Sequence, residues 1–471
     1  METNFKPGNA SYSSTPTQAT EVFRLENMDR DVDGIYRPRR GMEHLETFSG
    51  DITHLSAHPN GHALMLIQNG GNLGYYDLDT STYTNLATGW PTLPVKSAWA
   101  PGAPATWVAH KAYISSDTAG TLYEVGPTGT LASVAAAPTG TWVETHNRIL
   151  FSINSSTNIT SWSDYDDYTT WPAANDATKM PGSMGSEALV GYSNNKSVIF
   201  GQAGIFEVTG AIPDDIAFTQ AQNIAVAMPA IAIVKCGDCI IFLTPGPRLM
   251  KYQFGRVSRI DWPVQKDFRD LNSITNLRCW HDAGLNLLCI TDTAMTVKTT
   301  YVYSLEEDRW VGTWTARGAG DDPIMGGARF TGANNNPYVL EYLALAHRLC
   351  RWDNSLLYDE TGASTNEAFW CRIETRPSNL DNQAALKRIR GVYCDVDGLW
   401  YIKLKYRNTV AAAWTTVTWG STLGPGMIPA PSRIECREFT ILAEAASNYS
   451  GTAPRFRALN IDVQTVSRAK R

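Results

Sequence analysis

One short unit recurs seven times along this 471-residue chain, and it limits what the chain can fold into. The unit is an apolar strand, a tight polar turn, a second apolar strand, a Gly-containing turn, and a third strand with aromatic or Leu-Tyr character. Its first copy runs through Ile52-Thr53-His54-Leu55, the turn Pro59-Asn60-Gly61, Ala63 to Ile67, the turn Asn69-Gly70-Gly71, and Leu73-Gly74-Tyr75-Tyr76. The second uses Thr106 to Ala109, Ala112 to Ile114 and Thr121 to Val125, and the third Thr141 to Val143, Ile149 to Phe151 and Thr160 to Ser163. The fourth uses Ala188 to Val190, Ser197 to Phe200 and Gly204 to Val208, and the fifth Ile231 to Val234, Ile240 to Leu243 and Leu249 to Tyr252. The sixth uses Leu277 to Trp280, Asn286 to Ile290 and Tyr301 to Tyr303, and a weaker seventh Ala328 to Phe330, Tyr338 to Leu340 and Leu349 to Trp352. The third strands fall about 46 residues apart, the size of a four-stranded propeller blade. No dipeptide recurs at a fixed place, so the pattern is neither WD40 nor kelch. The expectation is an all-β chain built on a divergent six- or seven-bladed β-propeller, with an array of β-sandwiches as the alternative.

Composition agrees with many short strands. There are 37 Gly and 24 Pro to make turns, and 15 Trp and 20 Tyr to pack between them, while charged residues are only 18%. Helical pattern is confined to Leu340 to Arg348, whose mixed Leu and Ala could form a short helix. Residues 1–48 read as an extended arm, 49–365 as the propeller, and 366–471 as a separate β-sandwich-like domain of longer strands. Those strands are expected at Phe369 to Arg376, Lys387 to Val396, Leu399 to Arg407, Trp414 to Trp419, Ile434 to Leu442 and Arg455 to Val463. Charge marks the last boundary: 15 Lys/Arg against 9 Asp/Glu after residue 365 give a net of +6, leaving −12 for the rest. A region of that sign is a poor grip for nucleic acid, which is held by clustered Lys and Arg.

Local motifs point to structure more than to chemistry. The polar start, Met1 to Thr20, lacks the apolar stretch of a signal peptide, and the longest apolar run, Ile224 to Val234, is about half of the ~20 residues a membrane span needs. Synthesis in a cytoplasm, with mostly reduced cysteines, is expected. Cys236-Gly237-Asp238-Cys239 has metal-site spacing but no second pair of ligands, and Gly-Asp between two apolar strands is a two-residue hairpin turn. The acidic stretch Ser161 to Trp171 lacks the glycine turn and terminal glutamate of a calcium loop. It is also close to an Asp-box turn without that motif's glycine. His54, His58 and His62 are spaced for one helix face, yet Pro59-Asn60-Gly61 breaks a helix there. No catalytic residue, cofactor or metal site is expected from these patterns.

The order of features resembles the tail hub and nozzle propellers of short-tailed bacteriophages. The resemblance is carried by Arg24-Leu25-Glu26-Asn27-Met28 followed by Gly34 to Gly41, and by His146 to Phe151 with Ser161-Trp162-Ser163-Asp164 and Trp171. It continues through Gly182, Leu189-Val190 and Ile205 to Gly210, and ends on Tyr301-Val302-Tyr303, Asp308-Arg309-Trp310 and Trp314. It implies a structural virion protein, not an enzyme: a cyclic homo-oligomer, as a hexamer, below the portal and adaptor rings. Such a ring lines the DNA exit channel, retains and ejects the genome, and meets tail-fibre or tail-tip proteins. An acidic wall suits that role, since it repels a passing duplex. The arm from Glu21 to Gly41 carries both signs of charge, and Arg37, Arg39 and Arg40 are expected to hold a neighbouring subunit or the adaptor ring by forked contacts to carboxylates. The alternative is a propeller glycosidase or carbohydrate-binding module acting on host glycans, which would need a cleft with paired carboxylates of shifted pKa.

Overall fold

The computed structural model describes residues 2–4, 22–30, 35–57, 64–78, 80–90, 97–100, 111–115, 120–126, 131–154, 157, 159–178, 186–193, 196–201, 204–224, 233–244, 246, 248–261, 277–293, 299–315, 323–331, 339–345, 347–353, 355–362, 365–375, 377–378, 386–409, 411–447 and 453–466. Among them the secondary structure is strand, apart from a single 3-10 turn at Pro213–Asp215. The chain forms two compact units: His44–Lys298 with Pro323–Trp352, and Met1–Glu43 with Thr299–Asp322 and Asp353–Arg471.

The first unit is a β-propeller. Each repeat opens on a leading strand: Ile52–Ala57, Ser97–Ala100, Trp142–His146, Ser186–Ser193, Val234–Cys236, Leu277–Asp282 and Ile324–Thr331. The first five repeats are complete four-stranded antiparallel meanders. From Ser97–Ala100 onward each leading strand lies beside the next, and Ile324–Thr331 returns to lie beside Ile52–Ala57. The circuit closes where His54 Nε2 meets Ser97 Oγ at 2.8 Å and the Trp99 indole donates to Ser56 Oγ at 2.7 Å. The seventh sheet is completed from the other end of the chain. Gly41–Thr47 is the neighbour of Arg348–Asp353, and the Phe48 amide donates to the His347 carbonyl at 2.7 Å.

Burial explains why the second strand of each repeat reads as a solid apolar run. Ile149–Asn154, Lys196–Gly201, Cys239–Leu243 and Leu287–Asp292 are buried along almost their whole length, because a neighbouring blade covers each face. Phe151, Ile153, Phe200, Phe206, Phe242 and Tyr252 form one core through the third, fourth and fifth sheets. Smaller clusters join Leu73 to Ile114, Ala98 to Leu150, and Ile52 to Leu349. Outermost strands such as Ala217–Gln222 keep an exposed, polar character.

The turns between strands follow local chemistry. Cys236 pairs with Cys239 across Gly237-Asp238, and Gly237 has the positive φ, 59°, that the first position of a type II′ turn requires. Asn147 and Arg148, at φ 47° and 64°, make the corresponding type I′ connection between Trp142–His146 and Ile149–Asn154.

Two expectations are corrected here. Leu340 to Arg348 is not helical: Val339–Leu345 and Arg348–Asp353 are consecutive antiparallel strands, with Tyr342 opposite Arg351. The Leu/Ala run is too short for a stable helix by itself, and pairing on both sides decides its conformation. In the second repeat Ser97–Ala100 leads the sheet, and the expected Thr106 to Ala109 lies outside the described residues. His58, His62, the turn Pro59-Asn60-Gly61, Gly182 and Ile231 also lie outside them.

The second unit contains two sheets that share one core. Ile389, Val392, Val396, Leu459 and Ile461 from one meet Ile373, Trp400, Ile402, Leu404 and Ile441 from the other. Trp400–Arg407 alternates as expected, with Trp400, Ile402 and Leu404 buried and Tyr401 outward. The strand expected from Ile434 to Leu442 is two strands, Gly426–Cys436 and Glu438–Ala446, which belong to different sheets. The break falls at Arg437, whose amide bonds the Arg407 carbonyl as the chain changes sheets. The arm is part of this unit, because Leu25, Met28 and Tyr36 are buried in its core.

Two adjacent glycines test the propeller packing. A Cβ at Gly327 would stand 2.7 Å from the Trp280 ring, whereas one at Gly326 would meet nothing within 4 Å. Gly327→Ala should therefore cost about 1–3 kcal/mol by overpacking and Gly326→Ala less than about 1 kcal/mol, read from paired denaturant titrations.

Candidate functional site

The arm's three arginines lie at the most constrained point of the second unit. Val22–Glu26 pairs antiparallel with Trp370–Thr375, and Met28–Arg30 forms a hairpin with Tyr36–Pro38. Between these strands Asn27 takes φ 54°, a left-handed conformation that asparagine tolerates better than most residues. Its side chain is saturated. Asn27 Nδ2 donates to Thr315 Oγ1 at 2.9 Å and the Trp370 carbonyl at 3.0 Å, and Oδ1 accepts from the Thr315 amide at 2.7 Å and Arg39 Nε at 3.2 Å.

Arg39 is then held from every direction. Its guanidinium forks onto Asp359 at 2.9 and 2.6 Å, and its remaining N–H groups reach the Arg40 carbonyl at 2.7 Å, the Thr315 carbonyl at 2.7 Å and Asn27. All five donors of the group are used. The cation also lies 3.9 Å from the centre of the Phe369 ring, and both partners of the ion pair are 1% exposed. A Cβ on the next-but-one residue, Gly41, would collide with the Tyr358 carbonyl at 2.3 Å, so the chain can leave this junction only as glycine.

The expectation for the three arginines therefore divides. Arg39 is corrected: it is buried and bound within its own chain, and has no donor left for another subunit. A side chain with five donors suits a junction where several carbonyls converge, and sequence gave no sign that Asp359, some 320 residues away, would supply the charge. Arg37 is exposed beside Asp29 on the hairpin, and Arg40 is half-buried.

The other motifs serve the fold. Asp167 accepts from the amides and hydroxyls of Thr169 and Thr170, the hydroxyls at 2.7 Å each, and these bonds hold its carboxyl below the usual range. Asp166 pairs with Arg148 at 2.5 Å, so the acidic stretch binds its own chain. At the end of the sixth repeat the Tyr303 hydroxyl donates to Asp308 at 2.6 Å, and the Tyr303 ring meets buried Trp310 edge-on at 5.3 Å. Glu207, Glu435 and Glu444 are displaced downward as well. Burial alone would raise Glu207 and Glu444, but Lys196 and the Tyr252 hydroxyl outweigh it at the first, and Lys403 and Arg372 at the second. Hydrogen bonds from Arg388 and Arg433 lower Glu435.

No family model matches this chain, and no curated protein matches it. Among solved structures it is similar to a catalytically inactive virginiamycin B lyase from Staphylococcus aureus with quinupristin, at TM-score 0.44 and 10% identity over 66% of this chain and 98% of the other. It is also similar to a chain of the mitotic checkpoint complex, at TM-score 0.41 and 11% identity over 66% and 94%. Both are β-propeller proteins, and neither likeness bears on what this chain does.

Two outcomes follow for the site. Replacing Arg39 by Lys, which cannot fork, or Asp359 by Asn should cost about 3–5 kcal/mol in a denaturant titration, the scale of a broken buried ion pair. Seven of the eight cysteines are buried and Cys279 is half-buried, and burial pushes Cys394 and Cys436 up to about 12. A colourless disulfide reagent at pH 8 should thus titrate at most Cys279 in the native chain and all eight thiols after denaturation.

Proposed function

We propose that this chain is a structural subunit of a short-tailed bacteriophage tail, one member of a hexameric hub or nozzle ring below the portal and adaptor. The observation that supports this reading is the use made of the residues that carry the resemblance. Asn27 and Gly41 build the arm junction, Tyr303, Asp308 and Trp310 pin a blade end, and Ser163 Oγ accepts from the Leu150 amide at 3.0 Å. Residues of that kind serve a rigid wall. The charge difference along the chain adds to it: an acidic wall repels a passing duplex, while a basic C-terminal region suits an acidic neighbour.

On this reading Arg37 is the arm residue that meets a neighbouring subunit or the adaptor ring. It is exposed, whereas Arg39 fixes the hairpin that presents it.

Negative-stain images and sedimentation of the purified full chain should show closed six-membered rings. Arg37→Glu should weaken ring formation about tenfold with only a small drop in thermal midpoint, since it reverses an exposed charge and sets a second carboxylate opposite Asp29. A chain that stays monomeric both alone and with its adaptor ring, or rings indifferent to Arg37→Glu, would count against the proposal.

A further inference from the structure

A polar groove of about 490 Å³ lies on the first blade, outside the arm junction. One wall is the segment from Glu46 to Ser49, the other the turn from Ser81 to Tyr83, and the floor is Asn69 and Asn72. Close backbone packing adjoins its lining residues. Gly50 packs so closely on Gly70 that a Cβ there would stand 2.9 Å from the Gly70 Cα, and the Gly70 amide donates to the Asp51 carbonyl at 2.9 Å. Phe48 braces the same junction, its ring edge-on to Tyr83 at 4.9 Å.

The groups on the floor are pre-oriented. Asn69 is 2% exposed, donates from Nδ2 to the Tyr83 hydroxyl at 2.9 Å, and accepts from Asn72 Nδ2 at 3.4 Å. The Tyr83 oxygen is the acceptor in its bond from Asn69, so its own hydrogen remains to donate. Asn72 keeps an acceptor oxygen and a second N–H, and Glu46 accepts one backbone amide, that of Thr47 at 3.1 Å, through one carboxylate oxygen. The lining residues are Glu, Asn, Ser, Thr, Tyr and Phe, with no Lys or Arg.

We propose that this groove binds a neutral saccharide. A phosphate, sulfate or acidic sugar would face Glu46 with no cation to receive it. A metal ion would find one carboxylate where a hard cation takes six or more oxygens. An apolar ligand would strand the amides and hydroxyls of the floor. A polyol matches the set: neighbouring sugar hydroxyls donate to the carboxylate and exchange donor and acceptor roles with Asn72 and Tyr83. The volume falls within the ~300–1,000 Å³ of small-molecule sites.

The test uses the full-length chain with lactose, maltose and cellobiose as probes and glucose 6-phosphate as the charged control, followed by saturation-transfer NMR. At least one disaccharide should bind saturably, and the control at least about tenfold more weakly. Glu46→Gln, at a partly exposed position, should weaken binding about tenfold with an unchanged thermal midpoint, and Tyr83→Phe, which keeps the ring against Phe48 but removes the acceptor of the buried Asn69 amide, should weaken binding about tenfold while lowering the midpoint. Failure of all three disaccharides, equal binding of the phosphate, or binding that survives both substitutions would overturn the assignment. Ring formation is a separate measurement, so this result and the tail reading stand or fall independently.

Discussion

A buried charge with no unmet donor is the constraint on which the second unit depends. Arg39 brings a guanidinium into a region from which water is excluded, and such a group is tolerated only when an opposite charge and enough acceptors surround it. Asp359 supplies the charge, the carbonyls of Arg40 and Thr315 and the Asn27 amide supply the rest, and Phe369 covers the face of the cation. Four separate stretches of sequence are thereby fixed at one point. The geometry is demanding because the group is planar and forked, and that demand gives the arm one register on the strand Trp370–Thr375.

The propeller rests on a different principle. No single contact organises it; each blade buries its central strand against the next. Seven repeats become stable together where none would alone, and their sequences need only keep an apolar second strand and workable turns. That tolerance fits the absence of a repeated dipeptide along the chain.

The same contrast explains what could be read in the sequence. The repeat was visible because two-sided burial leaves unbroken runs such as Ile240 to Leu243, and because turns such as Gly237-Asp238 are decided by neighbouring residues. Leu340 to Arg348 misled, since its composition suits a helix and only pairing with strands on either side makes it extended. The break at Arg437 shows in the sequence only as a slip of phase: Ile434 and Cys436 are buried, then Phe439 and Ile441, so the alternation shifts by one residue across Arg437-Glu438. Arg39 was legible as an arginine with a partner, but not as one whose partner lies in the same chain. The groove on the first blade left no sequence signal: its residues are scattered Asn, Ser, Thr and Tyr that meet only in the fold, beside Gly50 packed on Gly70.

The strand Gly41–Thr47 has a consequence for how the molecule is made. It emerges from the ribosome before any blade, yet its place is beside Arg348–Asp353, which is synthesised some three hundred residues later. Until then its backbone donors and acceptors have no sheet to join, and the first and last repeats have no closed circuit to complete. The early blades can collapse in order as they appear, but the ring is sealed only once Arg348–Asp353 has been made. Contacts this distant in sequence make that closure slow and leave an unpaired strand edge open to misassembly until the partner strand is made. A nascent chain of this design has most need of a holding chaperone while Gly41–Thr47 waits for its partner.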